Sequence, residues 1–321
     1  MPRPGPWALL LLVVALLPLA TNEPADASHV PASRITRSFY MGSASRDAAV
    51  LRGCNQGGKN GRMILYFGAP TRVDGAYGAT LWGAPNRKIV GIRELVKDFA
   101  RGYVWCRRSS SFRLQIGMGT STSTIDGRTH SWLREHGRRW AEKVREAANW
   151  ANRHYPKAVQ IYAAWYAEPS WSGSSKANAW MHGYDVAFPR RRALFANFSA
   201  DGCPTSSATN GRCNNGWRQA NLWHLAWQHD PALPIPQIYA TSGVNAKQWQ
   251  LIDEWATHNR GDGIFFFGTG SQRGACRQVG GCVGTNNTPH RAHDFLLWYL
   301  NSHRHTRQRS IPTMTDMNWH S

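Results

Sequence analysis

From residue 61 onward the chain alternates short apolar runs with longer stretches whose apolar positions recur every three or four residues. The runs at 63–68 (MILYFG), 112–119 (FRLQIGMG), 159–166 (VQIYAAWY), 193–199 (ALFANFS), 221–228 (NLWHLAWQ), 235–240 (IPQIYA) and 263–268 (GIFFFG) read as strands. Several are apolar on both faces, the pattern of a strand covered from two sides. The stretches at 90–103, 131–154, 246–258 and 291–302 predict helices. In the second of these, Leu133, Trp140, Val144, Ala147 and Ala151 share one face while Arg134, Arg138, Arg139 and Arg145 lie elsewhere, which is a helical period. No linker interrupts the alternation, so 61–302 reads as one domain. A Gly-rich polar leader at 28–60 enters it and a basic polar tail at 303–321 leaves it.

This alternation predicts an α/β fold of the (β/α)8 TIM-barrel type, regular or irregular, with disulfide-braced loops. A doubly wound sheet fits less well because no glycine fingerprint follows the first strand. Gly57-Gly58-Lys59 precedes that strand and lacks phosphate-loop spacing, so it reads as a flexible entry. An eighth strand is weakly signalled at 102–107, and no fixed-period repeat is visible.

The first residues and the cysteines bear on compartment. Arg3 precedes an apolar stretch at 7–19, too short for a typical membrane span, and Ala25-Asp26-Ala27 follows it as a cleavage signature. Residues 1–27 therefore read as a signal peptide, and no later run is long enough to cross a bilayer, so the mature chain is expected to be secreted, extracellular or associated with the cell wall. Six cysteines follow, an even number in an exported chain, which argues for disulfides. Short loops favour Cys203 with Cys213 and Cys276 with Cys282, leaving Cys54 for Cys106. Neither cysteine nor histidine spacing suggests a metal site, and no cofactor is expected.

Composition changes the picture of the partner. Among 321 residues, Lys+Arg number 38 against 19 Asp+Glu, a formal charge of +19, with bases in excess along most of the chain. The expected partner is polysaccharide or an anionic cell-wall polymer, since export disfavours genomic nucleic acid. Arg190-Arg191-Arg192 and the tail from Arg304 to Arg309 read mainly as solvated charge. With 16 Trp, 10 Tyr and 11 Phe, the chain holds more large aromatics than its core requires, and some are expected to line a groove.

In a barrel of this kind, chemistry sits just past the strand C-termini. Among the residues there, Glu168 is the foremost candidate. It lies in Trp165-Tyr166-Ala167-Glu168-Pro169-Ser170-Trp171, where apolar surroundings raise a carboxyl pKa as a general acid requires. A salt bridge to one of the many arginines accounts for it equally well. Glycosidases pair such an acid with a second carboxylate, about 5–5.5 Å away for retention or roughly 6.5–9.5 Å for inversion. Asp201 and Asp185 are the weaker candidates for that partner, since Asp201-Gly202 is also a turn signal and Asp185 reads as a helix cap or surface acid. Tyr66, Trp165, Tyr166, Trp171, Asn197 and Tyr239 are the expected substrate-contacting residues. No G-x-S-x-G elbow or H-E-x-x-H pair occurs.

A resemblance adds to this reading. Glu168-Pro169-Ser170-Trp171, Ala200-Asp201-Gly202-Cys203-Pro204, Cys213-Asn214-Asn215-Gly216-Trp217, Pro234-Ile235-Pro236-Gln237-Ile238-Tyr239 and the stretch 276–289 resemble a group of secreted actinobacterial proteins of unassigned activity with glycoside-hydrolase-like (β/α)8 barrels. The resemblance spans roughly 60–300. It implies a secreted barrel that acts on or binds a cell-envelope or extracellular polysaccharide, with a non-catalytic glycan-binding protein as the alternative. Sugar-cleaving barrels often carry D-x-E at a strand end. Here the matching place reads Tyr166-Ala167-Glu168, without the Asp. An extracellular nuclease would explain the charge but lacks a recognisable metal cluster.

Overall fold

Every neighbouring strand pair in the main sheet runs parallel, as expected of apolar strands covered on both faces and joined by helical crossovers. The structure is a computed structural model that describes residues 31, 34–188, 194–230 and 232–319. Its strands and helices follow in chain order. β1 (Ile35–Tyr40) and α1 (Arg46–Cys54) precede β2 (Gly61–Tyr66), and then come the short strands β3 (Pro70–Val73), β4 (Ala76–Ala79) and β5 (Arg87–Lys88). α2 (Ile89–Trp105), β6 (Leu114–Ser121), α3 (His130–His154), β7 (Val159–Ala167), α4 (Ser174–Ala187) and β8 (Leu194–Phe198) form the middle of the chain. α5 (Gln219–Trp223), β9 (Ala232–Pro234), α6 (Val244–Arg260), β10 (Thr269–Ser271), α7 (Arg273–Gln278), α8 (Pro289–Asn301) and β11 (Met314–Asn318) complete it.

Eight strands make one curled sheet in the order β10-β11-β1-β2-β6-β7-β8-β9, and β3 to β5 form a small antiparallel sheet beside it. The two edges of the large sheet approach each other just past β9. Phe267 N donates to Pro234 O at 3.0 Å, Gly270 N to Pro236 O at 2.8 Å and Ile238 N to Gly270 O at 2.8 Å. The curl separates two apolar layers. The larger lies between sheet and helices and includes Ile161, Ala163, Trp165 and Ala167 of β7; the smaller lies inside the curl and includes Tyr40, Ile64, Tyr66, Ala164, Tyr166 and Phe195. Gly117 and Gly119 on β6 make room for this inner layer. A Cβ on Gly117 would stand 2.7 Å from the Phe195 ring, and one on Gly119 would stand 3.1 Å from Tyr66.

Several elements differ from the sequence expectation. Residues in the expected leader form β1 and α1, and the expected tail supplies β11, which lies between β10 and β1. Both strands belong to the fold. Stretch 221–228 is helical, α5 followed by a wide turn, because a short run with Leu222, Trp223, Leu225 and Ala226 fits a buried helical face as well as a strand. Segment 102–107, the weak candidate for an eighth strand, is mostly the end of α2. The expected strands at 235–240 and 263–268 lie just after β9 and just before β10, outside either strand. The three disulfides join Cys54 to Cys106, Cys203 to Cys213 and Cys276 to Cys282. The segment 1–27, expected to be a signal peptide, and the run Arg190-Arg191-Arg192 lie outside the described residues. No described helix is long and apolar enough to cross a membrane.

Candidate active site

Side chains alternate along β7, so Tyr162, Ala164 and Tyr166 face the inside of the curl while Ile161, Ala163 and Trp165 face the helices. Glu168 follows two residues after Tyr166, directly beyond the strand's C-terminal end. Its main-chain N donates to Thr122 Oγ1 at 3.3 Å, and its carbonyl accepts from Trp171 N at 3.0 Å, which ties the loop to β6 and makes a tight turn. The carboxylate accepts from Tyr166 Oη at 2.6 Å.

Tyrosines surround this acid. The rings of Tyr40 and Tyr66 stack with centroids 5.2 Å apart, Tyr66 and Tyr166 are 5.1 Å apart, and Trp171 meets Tyr166 edge-on at 4.8 Å. Tyr239, following β9, completes the group, since the charge of Glu168 raises the pKa of its hydroxyl. Tyr66 Oη donates to Asn197 Oδ1 at 2.8 Å, and Asn197 Nδ2 donates to Ile235 O at 2.7 Å, so β2, β8 and the chain after β9 are held by one polar relay. Burial pushes the Glu168 carboxyl up to about 7; the Tyr166 hydrogen bond opposes this and the Asp201 charge adds to it. Burial also raises Tyr40, Tyr66, Tyr166 and Tyr239, keeping their hydroxyls protonated as donors.

The expected site residues separate into two groups. Tyr66, Tyr166, Trp171, Asn197 and Tyr239 gather around Glu168, and Asp201 is near enough for its charge to act on the acid. Asp201 is half-buried and accepts from Ser170 Oγ at 3.0 Å, which is itself held by Asn214 Nδ2 at 2.9 Å. Asp185 is elsewhere, on α4 with His229 Nδ1 at 3.3 Å. Trp165 is also elsewhere: strand alternation turns it to the helix side, where it is fully buried and stacks on Trp180 at 4.0 Å with 4° between the planes. Its ring therefore offers no face to a ligand beside Glu168.

Three aromatics were not among the expected contacts. Tyr40 stacks on Trp319 at 5.0 Å, and Trp319 stacks on Trp82 at 5.7 Å, which extends the tyrosine group outward to a Trp82 ring that is 57% exposed. Tyr40 lies in the stretch that reads as a leader and Trp319 in the stretch that reads as a tail. The alternating Thr36, Ser38 and Tyr40 were the available signal for the first. Deeper in, Ser199 Oγ and Gln237 Oε1 are buried without a hydrogen-bond partner among the described residues. Among the described residues no three His, Cys, Asp or Glu side chains gather as a metal-ion set. Neither a known family nor any curated protein matches the chain.

Proposed function

We propose that the protein is a secreted, glycoside-hydrolase-like barrel that acts on a cell-envelope or extracellular polysaccharide, with Glu168 as general acid. The observation that carries this reading is a carboxyl at a strand end, enclosed by tyrosines and raised to about 7, so that a large share of it holds a proton near neutrality. In this reading the curled sheet functions as a (β/α)8-type barrel, supported by the hydrogen bonds between its edges past β9 and at β10. The resemblance to secreted actinobacterial barrel proteins agrees with it, and three disulfides suit an oxidising, exported setting.

The chemistry follows from the neighbours. Glu168 gives its proton to the leaving glycosidic oxygen as its bond to the anomeric carbon breaks, water adds to that carbon and releases the proton that restores the acid, and the Tyr166 hydroxyl steadies the carboxylate meanwhile through the bond it already makes. Asp201, oriented by Ser170, is the candidate second carboxylate. The exposed ring of Trp82 supplies a flat apolar face for the C–H surface of a sugar ring. Glu168→Gln is expected to lower turnover of a susceptible wall polysaccharide by roughly 10²–10⁴-fold, the usual worth of a general acid, as followed by release of reducing ends. Equal turnover by the variant sinks the assignment.

A second reading is a binding protein of the same architecture that holds glycan without cleaving it. Tyr166 at the place of the D-x-E Asp favours it, since that position here donates a hydrogen bond instead of presenting a carboxylate. Retention on cell wall with no product from any glycan selects this reading.

A further inference from the structure

A cleft lies behind the aromatic stack, on the other side of the same two strands. Tyr40 and Trp319 stack on the inner side, whereas Phe39 and Asn318, register partners on β1 and β11, line a cleft of about 350 Å³ toward the helices. Ligand sites run on the order of 300–1,000 Å³, so this one suits a small molecule. One face of α1, formed by Ala48, Leu51 and Arg52 at helical spacing, supplies one wall, and Gln278 at the end of α7 supplies another.

The lining combines three kinds of chemistry. Arg37 and Arg52 bring positive charge; Asn55, Gln56, Gln278 and Asn318 bring amides; Phe39 and Leu51 bring apolar surface. Arg52 is half-buried, and its Nη1 reaches the Met41 sulfur at 3.6 Å, a weak acceptor for a guanidinium. Burial lowers its pKa, as expected where a cation is short of solvent. The carboxylate of Asp316, beside Arg37 in the strand register, feels the Arg37 charge but takes its hydrogen bonds from Ser271 Oγ at 2.7 Å and from Gly274 N at 2.9 Å. Gln56 is 4% exposed, and its Oε1 has no hydrogen-bond partner among the described residues. A buried acceptor of this kind is costly to leave unmade.

A simple anion answers the arginines and leaves the Gln56 acceptor without a donor. A neutral sugar does the reverse. A hydroxylated ring that carries a negative group answers both. We propose that this cleft binds a single anionic sugar unit, its charged group between Arg37 and Arg52 and its hydroxyls on the amides. Both walls are braced covalently: Cys54, the last residue of α1, is tied to Cys106, and Cys276 of α7 is tied to Cys282. Bracing of this kind reduces the ordering cost of binding. The site contains no part of the Glu168 group and stands independently of the proposed hydrolysis.

Calorimetric titration of the oxidised protein with glucuronate, glucose 6-phosphate, glucose, acetate and inorganic phosphate tests the proposal. At least one anionic sugar is expected to bind saturably, and comparison of the first two tells a carboxylate from a phosphate. Arg52→Gln and Leu51→Trp are each expected to weaken that binding by about tenfold or more, the effect of losing a charge-assisted bond or filling the cleft. Leu51 is 62% exposed, so the second variant alters the cleft without disturbing the core. Glu168→Gln is expected to leave this binding unchanged while lowering any hydrolysis, which keeps the two readings distinguishable. The proposal is overturned if neither anionic sugar binds or if either cleft variant binds as tightly as the parent. It is equally overturned if acetate, inorganic phosphate or glucose binds as tightly as the anionic sugars.

Discussion

The protonation of Glu168 is governed by burial against a hydrogen bond, and a change of one atom separates them. Burial raises the carboxyl to about 7, while the Tyr166 hydroxyl at 2.6 Å favours the ionised form and holds the value down. Any activity that requires protonated Glu168 therefore declines as pH rises through about 7. Tyr166→Phe removes the opposing bond, so the alkaline limb of the pH–rate profile, or the carboxyl titration followed by NMR, is expected to move to higher pH. A limb that stays in place or moves down contradicts this account. His136 shows the opposite sign. Its Nδ1 accepts from Trp180 Nε1 at 2.9 Å, and an indole N–H only donates, so Nε2 carries the proton and donates to Gly78 O at 2.9 Å. Burial lowers this imidazole from 6.5 to about 4, and between those values the unfolded chain binds a proton that the folded one does not. Stability is expected to fall as pH drops from 6.5 toward 4, measured by urea unfolding, with that contribution absent in His136→Phe. The variant also loses stability at neutral pH, because Trp180 and Gly78 lose their partner.

Elements with a strong period were legible in the sequence, and those built on hydroxyl pairs were not. α2, α3, α6 and α8 and the apolar strands β2, β6, β7 and β8 stand where the periodicity put them, because their buried faces are apolar. β1 and β11 were hidden because they bury hydroxyls as well. Ser38 Oγ lies 2.7 Å from Thr315 Oγ1, and Thr36 Oγ1 donates to the main-chain O of Met314 at 3.2 Å, so the buried hydroxyls are satisfied by one another and by the main chain inside the sheet. The same reason explains the site. Glu168, Tyr66 and Asn197 could be found by counting strand ends, whereas Tyr40 and Trp319 belong to the two strands that read as leader and tail. Trp165 stands apart from the group because adjacent strand residues point to opposite faces, so nearness to Glu168 in sequence does not bring it to the inside of the curl. Helix contacts carry a further signal in their glycines. Gly183 on α4 faces the Arg134 main chain of α3, and Gly137 on α3 faces the Trp180 main chain of α4, so each helix uses a glycine to approach the other. Gly183→Val is expected to lower stability by about 1–3 kcal/mol, the cost of overpacking, measured from the urea midpoint. A variant as stable as the parent shows that the helices can separate without loss.

Across the whole molecule, the disulfides act at different ranges, which predicts unequal effects on stability. Cys54–Cys106 closes a separation of 52 residues, joining the end of α1 to the chain just after α2; Cys203–Cys213 spans 10, and Cys276–Cys282 spans 6. If a cross-link acts mainly by restricting the unfolded chain, the longest loop contributes on the order of 4 kcal/mol and the two short ones on the order of 2–3 kcal/mol each. Replacing both members of the first pair by Ser is thus expected to lower the unfolding free energy most. It also frees α1, whose Leu51 and Arg52 line the anionic-sugar cleft, so binding there weakens under conditions where the rest of the fold persists. Replacing Cys203 and Cys213 instead loosens the loop after Asp201, near Glu168 and remote in sequence from α1, and its effect is expected on the proposed hydrolysis with cleft binding retained. Chemical unfolding of the two double variants, combined with calorimetry of the anionic sugar, checks the pattern: equal losses of stability contradict the loop-length account, and loss of cleft binding in both contradicts the separate bracing of the two sites.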